Sequence, residues 1–109
     1  MEDVQPLIDA VDKLADRFRS MPQSRLLGAV PGYDSRAAAG LALARRLAAL
    51  ALAAEGEPER ELPEAGAFAV GDQLAVAGHD LAAALTATAD PAVLAQASVA
   101  VGETAALCG

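Results

Sequence analysis

From Val4 to Phe18 the large apolar residues fall at Val4, Leu7, Ile8, Val11, Leu14 and Phe18, with Ala15 completing the stripe and charges filling most other positions. Steps of three and four residues are the period of one helix face, so this stretch predicts an amphipathic helix. It ends near Met21-Pro22, because the residue before a proline is pushed out of the α region. Glu2 and Asp3 at its start and Arg17 and Arg19 at its end suit the helix dipole, and Asp9 and Lys13 stand in a favourable i,i+4 relation.

Residues 22–34 contain the turn signal Pro31-Gly32 and three residues that need burial, Leu26, Leu27 and Val30, which predicts a packed loop with one helical turn around Ser24 to Leu27. Asp34 or Ser35 then offers an N-cap to a second helix running from about Arg36 to Ala54 and stopping before Gly56. Glu55 to Ala67 carries five glutamates against Arg60 alone, and also Pro58 and Pro63, so it reads as a solvated acidic connection with Leu62 as its only large apolar anchor. A third helix follows from about Ala69 or Asp72 to Ala87, with Val70, Leu74, Ala77, Gly78, Leu81 and Leu85 on one face. Asp90 as N-cap and Pro91 at the first helical position start a fourth, ending near Leu107. No segment shows the alternation of a strand, and there is no internal repeat. The expected fold is all-α: one domain over residues 1–109, a small antiparallel four-helix bundle of up-down-up-down topology. The alternative is three helices with one long, kinked piece.

Composition sharpens one part of this picture. Of the 109 residues 54% are apolar and only 3% aromatic, and the excess is alanine and leucine concentrated in the second helix. There, positions 41, 45, 48 and 52 share one strip and 43, 47, 50 and 54 another, so the helix is apolar nearly all round except near Arg45 and Arg46. Such a helix must be covered nearly all round, which in a four-helix bundle points to a second copy of the chain or another protein partner on the strip Leu41, Arg45, Ala48 and Leu52. Gly40 and Gly78, with Ala44 and Ala82 one turn on, suit close helix approach; missing side chains there also leave room for a small ligand.

A net charge of −7 opposes nucleic-acid binding. The acidic start differs from a secretory signal, and two central arginines argue against membrane insertion of residues 37–54, so the expectation is a cytoplasmic protein with no membrane partner. The chain shares length and alanine content with small helical secreted proteins that pair as helical hairpins, but their Trp-x-Gly turn has no counterpart in a chain without tryptophan.

Chemistry is sparse. His79 is the only histidine, on the polar side of the third helix with Asp72 and Asp80, and Asp80, about 100° away on the helix, is badly placed to orient it. One histidine and one cysteine, Cys108, do not make a zinc or di-iron site, and no cofactor is expected; Cys108 stands where the chain is expected to fray. The serines lack a nucleophile-elbow context. One constellation suggests binding: Arg17, Arg19 and Arg25 flank Pro22, and Tyr33, Asp34 and Arg36 stand at the other end of the same loop, a basic and aromatic patch for an anion or an acidic partner. Arg25, Tyr33, Arg36 and His79 are thus the candidate ligand-binding residues. The functional expectation is a non-catalytic helical protein that acts through association as a homodimer, with a small-ligand or accessory binding protein as the alternative.

Overall fold

A computed structural model describes residues 3–109, and within them the chain is all-helical. Five helices pack together: α1 (Gln5–Ser20), α2 (Gln23–Leu26), α3 (Arg36–Ala54), α4 (Val70–Thr88) and α5 (Pro91–Cys108), with a 3-10 turn, Ala67–Ala69, leading into α4. The stripe read from α1 is its buried face, Leu7, Val11, Leu14, Ala15 and Phe18. Pro22 ends α1 and N-caps α2, where Leu26 is buried while Leu27, expected inside, is exposed. Ser35 rather than Asp34 caps α3, its Oγ accepting from the Ala38 amide at 2.9 Å. Asp90 caps α5 by accepting from the amides of Ala92 and Val93. Asp9 does not pair with Lys13; it accepts from the Gln5 side chain. Asp3 accepts from the Gln5 amide at the start of α1, and Glu2 lies outside the described residues.

Helix directions follow from the contacts. Arg19 pairs with Asp72 and Asp12 with His79, so α1 and α4 are antiparallel. Gly40 meets Val70, Ala48 shares a groove with Gln73 and Ala77, and Ala51 and Leu52 share one with Asp80, so α3 and α4 run the same way. The strict up-down alternation is therefore corrected. The physical reason lies in the connection. Residues 55–66, if extended, reach about 40 Å, and α3 is about 28 Å long, so the segment can retrace the whole helix. Pro58 and Pro63 hold the residues before them extended. On the way back the carbonyl of Leu62 accepts from Arg45 Nε at 2.9 Å and that of Pro63 from the Gln73 amide at 2.8 Å, while the Leu62 side chain packs on the core and the glutamates face water.

Packing is closest along α4, which lies between α1 and α3. A Cβ on Gly71 would sit 2.9 Å from the carbonyl oxygen of Ala15, and one on Gly78 would overlap the γ-methyls of Val11. One on Gly40 would lie 2.6 Å from Val70 Cγ1 and 2.7 Å from Phe18 Cζ. These glycines serve close approach, as read for Gly40 and Gly78, and their space is filled by neighbouring side chains. Gly102, on α5, has nothing within 4 Å of where its Cβ would be. Replacing Gly78 by Ala gains about 1 kcal/mol of helix propensity and loses about 1–3 kcal/mol to overpacking. Urea denaturation of the dilute, monomeric chain should show Gly78→Ala less stable than wild type and Gly102→Ala more stable by about 0.5–1 kcal/mol.

Candidate functional site

The basic residues singled out around the 22–34 loop do converge, although on a different object from a free ligand. Arg17, from the last turn of α1, donates through Nη2 to the carbonyl of Ala105 at 3.2 Å. Arg25 of α2 donates through Nη2 to the carbonyl oxygen of Gly109 at 2.7 Å. Both satisfy the C-terminal end of α5, where unpaired carbonyls carry the negative pole of the helix. Arg36 lies over α2 instead: its Nη1 donates to the carbonyl of Arg25 at 3.3 Å, its backbone amide to the carbonyl of Gly28 at 2.9 Å, and its Nε is buried without a protein partner. Tyr33 is exposed and forms a one-residue bridge with Val30 through backbone hydrogen bonds alone. The loop thus brings Arg17, Arg25 and Arg36 to one end of the molecule and leaves Tyr33 at its rim.

His79 belongs elsewhere. It sits on α4, with Nε2 2.7 Å from Asp12 Oδ1 on α1, and both side chains are about half exposed, 51% and 47%. Asp72 is committed to Arg19 at 2.8 Å, and Arg19 also holds Asp16 at 2.9 Å, so its guanidinium is held further in the charged form, first by Asp72 and then by Asp16. Asp80 borders a separate groove of ≈ 490 Å³ with Glu55 and Glu61. Asp72 and His79 are thus held by separate partners on α1. Asp12 is the group that orients the histidine, a contact across two helices that local spacing does not reveal. Among the described residues no three His, Cys, Asp or Glu side chains gather to hold a metal ion.

The strip assigned to an outside partner lies against the chain's own crossover. Leu41 is buried, Arg45 is bonded to Leu62, and Ala48 and Leu52 line the groove beside Arg60, Glu61 and Leu62. The groove that sequence reasoning missed lies between α1 and α2. It has a volume of ≈ 460 Å³ and is bordered by Lys13, Arg17, Ser20 and Arg25 over Met21 and Pro22. The spacing 13, 17, 20 on one helix face was its available signal.

Cys108, expected to fray, is fully buried in the last turn of α5. Burial pushes its thiol pKa up, against a smaller opposing pull from Arg36 and Arg17. A raised folded pKa means that the folded state keeps the proton longer than the unfolded chain. This contribution to stability is intact below the ordinary thiol pKa of about 8.5 and is lost as pH rises towards the folded value. Stability measured by urea titration should therefore fall above about pH 8.5, and Cys108→Ala should flatten that fall. Thiol labelling should be slow in the folded protein and fast in denaturant.

No protein family, curated protein or solved structure matches this chain.

Proposed function

We propose that this is a non-catalytic cytoplasmic helical protein that works through association, its four long helices forming a bundle that pairs with a second copy. The observation that carries the reading is α5. Of its 18 residues only Ala97, Ala100, Val101 and Cys108 are buried. Its exposed surface presents a strip of Ala92, Ala95, Val99, Gly102 and Ala106 bordered by Gln96, Ser98 and Glu103, the last its only charge, and Val99 is 59% exposed. α5 and α3 are the two described helices long and apolar enough to cross a membrane, with mean hydropathies of 1.3 and 1.5. α3 is the better covered of the two, by α4, α5 and the crossover.

Gly102 supports a helix as the occupant. Within one chain this glycine only weakens α5, by roughly 1 kcal/mol against alanine, whereas against a second helix it lets two backbones approach. A second copy is favoured by charge. Two chains each carrying −7 repel wherever carboxylates face one another, and the outer face of α5 carries only one, Glu103. Twofold pairing is the commonest closed arrangement. The partner surface is therefore assigned to α5, while the strip Leu41, Arg45, Ala48 and Leu52 is assigned to holding the crossover.

Sedimentation velocity over a range of protein concentrations should show a monomer–dimer equilibrium. Val99→Glu should weaken it at least about tenfold, equivalent to about 1.4 kcal/mol, and Leu52→Gln should leave it unchanged. A wild-type chain that stays monomeric throughout, or one that sediments with lipid vesicles as a monomer, would overturn the reading.

A further inference from the structure

Basic residues are unevenly placed on this acidic chain. Arg17, Arg19, Arg25 and Arg36 gather where α1 ends and α3 begins, while Glu55, Glu57, Glu59 and Glu61 follow the far end of α3. The groove of ≈ 460 Å³ between α1 and α2 lies at the basic end. Its one carboxylate, Asp16, is engaged by Arg19 at 2.9 Å, a guanidinium shared with Asp72, so three cations face one carboxylate along the groove. Lys13, Arg17 and Arg25 have no Asp or Glu within ion-pair distance among the described residues. Arg17 and Arg25 each spend one nitrogen on a carbonyl at the end of α5, and a guanidinium has five N–H donors, so both keep donors to offer. Beside these charges lie the buried Met21 and the ring of Pro22, an apolar floor along the same groove.

We propose that this groove binds an extended peptide segment bearing carboxylates at alternate residues, supplied by a partner protein. Lys13 and Arg17 are one helical turn apart, about 5–6 Å between Cβ atoms. In an extended chain, side chains two residues apart are about 6.8 Å apart and face the same way. Alternate carboxylates therefore meet successive cations, and the intervening small side chains lie towards Met21 and Pro22. A free phosphate uses the cations and leaves the apolar floor without a partner, which favours a peptide. The site is separate from the pairing face of α5, and its test leaves that face intact.

The experiment is fluorescence anisotropy of a dye-labelled peptide of four Glu-Ala repeats titrated with the full chain. Saturable binding is expected, weakened at least about tenfold between about 50 and 300 mM salt. Lys13→Gln, whose parent side chain makes no hydrogen bond or ion pair in the structure, should weaken binding about two- to fivefold with an unchanged melting temperature. Arg46→Gln, on the exposed part of α3, should leave it unchanged. A peptide with the same four glutamates in one block should bind more weakly. Absence of binding, equal binding of the blocked peptide, equal loss in Arg46→Gln, or displacement by inorganic phosphate at peptide-like concentrations would overturn the proposal. Sedimentation of Lys13→Gln alongside wild type keeps a failure of this site distinguishable from a failure of α5 pairing.

Discussion

The need to cover α3 shapes the rest of the molecule. Its 19 residues are almost all alanine and leucine, with no carboxylate, so water is a poor neighbour for nearly every side. α4 lies alongside it, α5 touches another side, and the extended crossover takes the strip that remains. Running α3 and α4 in the same direction is the condition for this arrangement, because only then does the link between them have to travel back along α3. A tight antiparallel turn would have left Leu41, Ala48 and Leu52 to solvent or to another molecule. The acidic composition of the crossover follows from the same position: its glutamates form the wet outer surface of a strand-like strap whose single leucine points inward.

Covering an alanine-rich helix also fixes how closely its neighbours must lie. Alanine projects little beyond the backbone, so helices that bury it have to approach one another closely, and bulky groups at the crossings are excluded. Gly71 and Gly78 on α4 admit α1, and Gly40 on α3 admits Phe18 and Val70. The larger leucines of α1, α3 and α4 then fill the space between, and Leu14, Leu47, Leu74 and Leu81 are essentially inaccessible. A core built this way has little place for polar side chains, and among the described residues no polar or charged residue is buried as a whole. Chemistry is thereby pushed to the surface, where His79 and Asp12 form a pair open to water and the arginines act on helix ends.

These arginines tie function to architecture. Capping the end of α5 with Arg17 and Arg25 draws cations to one end of an acidic molecule and leaves part of their hydrogen-bonding capacity free. The outer face of α5 meanwhile stays apolar and almost uncharged. The surface is divided in this way between one largely apolar face and one basic end.

How far the sequence reached depends on the range of the forces involved. Helix positions, the stops at Pro22 and Gly56, the cap at Asp90, the choice of Asp34 or Ser35 for the cap of α3 and the inward face of α1 all follow from interactions within a few residues, and they were legible. So was the requirement that α3 be covered, since it is a property of that helix alone. What covers it was not legible, because the choice between a second copy and the chain's own strap depends on the direction of α4, which only packing between distant segments decides. The site divides in the same way. The sequence placed arginines around one loop, but the tertiary structure assigned Arg17 and Arg25 to carbonyls more than 80 residues away, gave His79 a partner on α1, and opened a groove at Lys13. Local pattern determined which surfaces were apolar or charged; the meeting of helices far apart in the chain decided which of them were already occupied.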